Sequence, residues 1–289
     1  MKKNTAINLG SIIKALPEIK AYHARTASIY NLIAGVAKHT VDSTQLVSQE
    51  PLPIDFGDIG DLFFPYTSMG AINSLDLFGL DELIIFSYYW VNRLRYKRVA
   101  DIGANIGLHS ILMSRCGWQV SAYEPDPIHT NLIARNLKLN NIEDLNLVEA
   151  AVSSKEGELE FIRVLGNTTG SHLAGAKKDP YGELEKFTVR VKPISEIMSV
   201  ADFIKMDVEG QEAEILCSTT KNDWDGTDMI LEVGTSENAS KIYDHLVSID
   251  VNAFSQKKGW NQVAKASDMP ESYKEGSLFI SKLNKMPWE

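Results

Sequence analysis

The stretch Val99-Ala100-Asp101-Ile102-Gly103-Ala104-Asn105-Ile106-Gly107 constrains this chain most, because it reads as a buried strand that breaks into a glycine turn and opens a helix. Gly103 and Gly107 lack a Cβ, so the backbone there can take unusual angles and let a ligand approach closely, while Asp101 ends the strand facing the turn. Cofactors bind at such junctions. A second apolar strand, from Trp118 to Tyr123, follows the helix and ends in Glu124-Pro125-Asp126-Pro127. A carboxylate at that point can accept both hydroxyls of a ribose. Glu124 lies 23 residues beyond Asp101, which also suits the acidic residue of an NAD-binding fold. The turn argues against a dinucleotide: its fingerprint needs a second glycine where the backbone meets the pyrophosphate, and Asn105 stands there.

From residue 98 onward, short β-branched runs alternate with helical patterns, the signature of a mostly parallel sheet covered on both faces. The pattern predicts strands near 98–102, 118–123, 145–149, 202–207, 228–233, 250–255 and 276–282, with helices near 106–115, 127–139, 210–217 and 237–248. Between the third and fourth strands, the alternating runs Glu158–Val164 and Lys186–Val191 predict a long β-hairpin. Its tip, 166–182, contains Gly166, Gly170, Gly175, Pro180 and Gly182 and is expected to be a mobile loop over the active-site rim. Residues 1–96 form an N-terminal extension, helical over 11–37 and 78–95 and loop-rich over 41–76, expected to cover the acceptor or the cofactor; residues 97–289 form the main domain. The aromatic segment Asp61–Gly70 is a candidate pocket wall or lid, or else packing within the extension or a dimer interface.

With 44% hydrophobic residues the chain can bury a large core. A net charge of −9 and a pI near 5.3 argue against a general grip on nucleic acid. No segment reaches the roughly 18 apolar residues of a membrane span, and the apolar stretch after Met1-Lys2-Lys3 is interrupted by Asn8, Lys14 and Glu18, unlike a signal peptide. Cys116 and Cys217, flanked by apolar or small residues, read as reduced core thiols, which fits the cytoplasm.

The combination of Asp101-Ile-Gly-Ala-Asn-Ile-Gly107, Glu124-Pro-Asp-Pro127, Asn136 with Asn140, and Ile204-Lys205-Met206-Asp207-Val208-Glu209-Gly210 closely resembles the FkbM family of S-adenosylmethionine-dependent methyltransferases, over roughly residues 97–235. The resemblance implies the class I methyltransferase fold, a Rossmann-like three-layer α/β architecture whose seven-stranded, mostly parallel sheet has an antiparallel last strand. It also implies S-adenosylmethionine as cofactor. The methionine end would lie against the turn made by Asp101, Gly103, Asn105 and Gly107, with His109 near its carboxylate. Glu124 and Pro125 would meet the ribose, and Ala150 or Ala151 the adenine.

Catalysis is expected to centre on Lys205, Asp207 and Glu209, which strand alternation would turn to one side at the strand's carboxyl end beside the cofactor. A sugar or alkyl hydroxyl is too weakly acidic to ionise alone, so transfer to it needs a base or a nearby cation. Asp207 or Glu209 are candidate bases, Lys205 a group that orients the acceptor, and His172, on the insertion tip, either a further base or a solvated loop histidine. Asp207 could also contact the cofactor, and with Glu232 it offers oxygen ligands for a divalent cation such as Mg²⁺. The expected activity is O-methylation of a sugar, a glycan precursor or a small natural product. The alternatives are N- or carboxyl-methylation and a non-catalytic cofactor-binding scaffold. The expected partners are a small-molecule or glycan acceptor and, in a homodimer, a second copy of the chain.

Overall fold

A computed structural model describes residues 8–43, 52–176 and 182–288. The extension supplies α1 (Leu9–Ala15), α2 (Tyr30–Ser43), an antiparallel pair β1 (Pro53–Asp55) and β2 (Asp61–Phe63), and α3 (Leu80–Val91). Then β3 (Arg98–Ile102), α4 (Leu108–Arg115), β4 (Gln119–Tyr123), α5 (Pro127–Leu139) and β5 (Asn146–Val148) alternate. The insertion holds β6 (Ala151–Ser153), β7 (Gly157–Val164), β8 (His172–Leu173) and β9 (Leu184–Pro193). It is followed by α6 (Ile194–Met198), β10 (Phe203–Met206), α7 (Glu212–Leu216), β11 (Asp228–Glu232), α8 (Ser236–Ser248), β12 (Asn252–Ser255), β13 (Asn261–Gln262) and β14 (Ser277–Ser281).

The main sheet runs β5-β4-β3-β10-β11-β14-β12-β13. From β5 to β11 the strands are parallel, and β14 enters antiparallel between β11 and β12. The two-residue β13 is an eighth strand that the hydrophobic pattern did not predict, because Asn261 and Gln262 are both exposed. The near-continuous apolar runs of β3, β10 and β11 reflect burial on both faces. After β3 the chain winds out to β5, and from β10 it winds the other way to β11. The carboxyl ends of β3 and β10 therefore flank the switch-point crevice where open α/β sheets bind ligands.

The insertion is more than the predicted hairpin. β7 and β9 do pair antiparallel, but β6 joins β9 in parallel and β8 joins β7, giving a four-stranded sheet. The first half of the tip is pinned: the Ala71 amide donates to the Gly166 carbonyl at 2.8 Å and the Thr168 amide to the Met69 carbonyl at 2.9 Å. Gly70 must be glycine here, since a Cβ would stand 2.1 Å from the Gly166 oxygen. Glycine content predicts a loop, but it cannot reveal a partner about a hundred residues away. Residues 177–181 of the tip, with Pro180, lie outside the described residues, as do Met1–Lys3 and part of the loop-rich stretch 41–76.

Extension and α/β body share one core. Helix α3 lays Tyr88 and Tyr89 beside Tyr96, Trp118 and Phe203, with Tyr96 stacked on Phe203 at 4.8 Å between ring centroids. Cys116 is buried, but Cys217 is exposed, contrary to its reading as a core thiol, because it follows the last turn of the short α7. No helix among the described residues is long and apolar enough to cross a membrane.

His23 locks the N-terminal helices to the far end of the chain. Its Nδ1 accepts from the Trp260 indole at 2.9 Å, so its Nε2 donates to the Leu16 carbonyl at 3.0 Å. Burial lowers its pKa to about 4. The unfolded chain binds this proton near pH 6.5 while the fold resists it down to about 4, so His23 makes stability rise with pH across that window. Replacing His23 with Gln is expected to cost about 1–3 kcal/mol at pH 7 through the orphaned indole and to flatten the wild-type loss of stability on acidification, as read by urea unfolding at several pH values.

Candidate active site

The crevice is closed at its base by backbone contact. Gly103 has φ +74°, and a Cβ there would lie 1.7 Å from the Asp207 carbonyl oxygen. The Asp207 amide in turn donates to the Ile102 carbonyl at 2.9 Å. Asn136 holds the turn from behind by donating to the Ile106 carbonyl at 2.9 Å, and Asn140 exchanges two hydrogen bonds with the Phe63 backbone. These asparagines therefore brace the turn and the extension.

Glu124 is 5% exposed. Its Oε2 accepts the Asn105 amide at 2.9 Å and its Oε1 the Asp126 amide at 3.0 Å, so the carboxylate is fixed in orientation. Burial pushes its pKa up to about 8, against those two amides and with help from Asp126 and Asp101. Asp126 caps α5 and is gripped by the buried Arg163 of β7 through Nε at 2.7 Å and Nη2 at 2.6 Å. The insertion thus supports the carboxylate through an ion pair.

Above these groups lies a cavity of about 260 Å³. Gly103, Asn105, Glu124, Pro125, Ala150 and Ala151 line one side and Asp207, Val208 and Glu209 another. Ile72, Asp76, Leu77 and Glu82 reach it from the extension, and Thr168, Thr169 and His172 from the insertion. The lining residues from the extension thus fall just beyond the aromatic segment 61–70, where Phe64 is core. Five carboxylates line the cavity, and among the described residues no Lys or Arg does.

Several predicted groups take other positions. β10 ends at Met206, so alternation does not extend to Glu209, which sits in a left-handed turn at φ +55°, although Asp207 and Glu209 both still reach the cavity. Lys205 does not line that cavity and cannot orient an acceptor within it: its ammonium lies beneath, 3.7 Å from Asp101, 3.9 Å from Asp207 and 3.4 Å from the Gly103 carbonyl. Burial opposes that charge, but Asp101, Asp207, Glu82 and Glu232 outweigh it and hold the pKa above the usual lysine range. Asp101 is fully buried against Ser110 and Lys205 rather than facing the cavity. Gly107 is the left-handed cap of α4 and packs on Ile133. His109 does not reach the cavity, because Tyr89 holds its Nδ1 at 2.8 Å and Glu82 lies 3.0 Å from its Nε2.

His172 is 1% exposed, not a solvated loop residue, because β8 carries it inward; its Nδ1 lies 2.9 Å from the Gly170 carbonyl. Among the lining groups that escaped the sequence reading are His129 and Glu82. His129 contacts Thr168 of the insertion at 3.0 Å and lies 3.8 Å from Glu124; its place one turn into the helix after Glu124-Pro-Asp-Pro127 is a usable signal. Glu82 reaches the site from a helix that sequence patterning marked only as amphipathic.

The donor set does not fit a divalent cation. Asp207 and Glu232 share a small recess with Lys205 and Glu82, and burial together with Asp207 and Glu82 pushes Glu232 well above the usual carboxylate range. The Lys205 ammonium, 3.9 Å from Asp207, already supplies the positive charge in this recess where a hard cation would have to sit. Among the described residues no group of three or more His, Cys, Asp or Glu is placed to hold a metal.

A glycine turn after the first parallel strand, a carboxylate after the second, and an antiparallel strand inserted beside the fifth define a class I methyltransferase domain. The Methyltransferase FkbM domain matches residues 101–266, and the chain belongs to that family. It is similar to Methyltransferase sdnD of Sordaria araneosa, with 28% identity over 214 residues, covering 54% of this chain and 80% of that protein. It is also similar to Methyltransferase 1 of Beauveria bassiana (strain ARSEF 2860), with 24% identity over 155 residues, covering 46% of this chain and 62% of that one. Among solved structures, the O-methyltransferase from Bacillus cereus in complex with SAH shares 11% identity at a TM-score of 0.35, covering 68% of this chain and 82% of that one, a likeness too slight to inform the site.

S-adenosylmethionine, a ligand with a sulfonium and an ammonium, fits these residues. The buried Oδ1 atoms of Asn105 and Asp207 have no hydrogen-bond partner, both residues line the cavity, and its charge is acidic. For the ligand-free chain, the raised Glu124 pKa means that the fold holds a proton the unfolded chain has released. Glu124 therefore makes stability fall as pH rises from about 4.5 to about 8, by up to about 1.4 kcal/mol per pH unit. Urea unfolding of Glu124→Gln is expected to show a shallower decline between pH 5 and 8 than wild type.

Proposed function

We propose that the chain transfers a methyl group from S-adenosylmethionine to a hydroxyl of a sugar, a glycan precursor or a small natural product. The observation that carries this reading is a single acidic cavity in which the oriented Glu124 carboxylate and the Gly103–Asn105 turn face Asp207, Glu209 and His172. Glu124 would hold the ribose, Asn105 and Asp207 the amino-acid end, and Pro125, Ala150 and Ala151 the adenine side. The Ala150 amide already donates to the Val148 carbonyl at 2.9 Å, which favours Ala151 for any backbone contact with the ring. When bound, the cofactor supplies a methyl group on a positively charged sulfur.

The remaining work falls to the chain: aligning the acceptor and taking up its proton. Asp207, Glu209 and His172 are the groups in reach. Lys205 acts one step removed, with its ammonium 3.9 Å from the Asp207 carboxylate. A carboxylate acceptor would meet repulsion from the lining acids, which supports a hydroxyl over carboxyl methylation. The unpaired Cys116 and Cys217 are in keeping with a cytoplasmic setting.

S-adenosylmethionine and S-adenosylhomocysteine are expected to raise the melting temperature of the purified chain while NAD does not, since a ligand that binds the folded state stabilises it. Glu124→Ala should lower S-adenosylhomocysteine affinity at least tenfold by calorimetry; equal stabilisation by NAD, or wild-type affinity in the variant, would refute the assignment. Once an acceptor is found, the residue that takes the proton is the one among Asp207→Asn, Glu209→Gln and His172→Gln that lowers kcat by about 10²–10⁴ at saturating cofactor.

A further inference from the structure

The cavity is too small for two ligands. At about 260 Å³ it lies near the lower end of the roughly 300–1,000 Å³ of pockets that take one drug-sized molecule, so a cofactor seated in it fills it and leaves no room for the body of an acceptor. A groove of about 1020 Å³ adjoins it, and Gln211 lines both. The partition between them is thin: the Ala176 carbonyl, from the insertion, lies 3.0 Å from where a Gly210 Cβ would stand.

The groove runs between the insertion sheet and the starts of α7 and α8, and its walls mix apolar groups such as Leu159 and Val191 with polar ones: Ser153 and Ser154 on one side, Thr235 and Asn238 on the other. Its charge is net acidic, with Glu156, Glu158, Glu214 and Glu237 against Lys155 and Lys241, and Lys241 is already paired with Glu237 at 2.9 Å. Such a lining disfavours phosphates and carboxylates and offers hydrogen bonds to hydroxyls. Tyr273 presents the one aromatic ring among the described groove residues. It stands against Gly234, where a Cβ would come within 2.4 Å of the phenol. Burial and the nearby Glu209, Glu212 and Asp207 hold its hydroxyl far above the ordinary tyrosine range, so the phenol stays protonated beside the carboxylates of the cavity. Tyr273 lies beyond the family match, which ends at residue 266.

We propose that this groove is the acceptor subsite, that it takes an uncharged oligosaccharide rather than a phosphorylated or uronate-bearing one, and that Tyr273 guides the reacting end toward Asp207 and Glu209. The proposal rests on the methyltransferase reading. In it, the ring of Tyr273 packs on the C–H face of a sugar and its hydroxyl donates to a ring substituent, while Gly234 leaves the space that the phenol needs.

The test is saturation-transfer NMR on the full chain loaded with S-adenosylhomocysteine, with cellotetraose as the neutral probe and tetragalacturonate as the anionic one. Transfer to cellotetraose is expected, with little to tetragalacturonate. Tyr273→Ala and Gly234→Ala, the latter keeping the phenol but displacing its ring, should each reduce the signal at least fivefold while S-adenosylhomocysteine affinity stays within twofold of wild type. The proposal is overturned if cellotetraose gives no transfer, if tetragalacturonate gives as much, or if both variants match wild type. Failure of S-adenosylhomocysteine to bind the wild-type chain would instead contradict the methyltransferase reading, and transfer to cellotetraose without it would still report on the groove.

Discussion

Everything at the site depends on how closely the end of β3 approaches the end of β10. Gly103 lies so near the Asp207 carbonyl that no other residue fits, and this contact brings the cofactor turn and the Asp207–Glu209 segment into one crevice. Widening the contact by one methyl group would separate the carboxylate that faces the acceptor from the turn that faces the cofactor. The parallel register of β3 with β10 and of β10 with β11 transmits the placement to Glu232 and to the loop that carries Gly210 and Gln211.

Around this fixed centre the other elements act as braces. Arg163 grips Asp126, whose amide orients Glu124, so the insertion sheet sets the direction of a carboxylate on the main sheet. Losing one partner of a buried pair of this kind costs about 3–5 kcal/mol. The insertion is in turn tied to residues 69–71 of the extension, and the extension to α5 through Asn140. Cover and base are thus joined, and the insertion carries Thr168 and His172 over the cavity on a fixed strand pair rather than on a free loop.

The fold was largely legible in the sequence because its strands are buried on both faces and alternate with helical patterns, which the order and spacing of apolar residues expose. Gly103, Asn105 and Glu124 could be located because each must follow directly after a strand. Glu82 and His129 could not be ranked as site residues, since their positions depend on how helices pack. Lys205 and Asp101 read as groups facing the acceptor and the cofactor, but they form a buried pair outside the cavity lining. Strand alternation failed at Glu209 because the strand stops three residues earlier, and a left-handed residue then turns the chain. The pinning of the insertion tip rests on backbone hydrogen bonds, which leave little trace in side-chain identity.

The crevice between the β3 and β10 ends is where the cofactor would bind, with Glu124 on its ribose. A crystal structure of the chain with S-adenosylhomocysteine tests it most directly. The nucleoside is expected in the cavity between the Gly103–Asn105 turn and Ala151, with both ribose hydroxyls on the Glu124 carboxylate and the sulfur toward Asp207. Ligand density elsewhere on the chain, or in the cavity with the ribose turned away from Glu124, would contradict it.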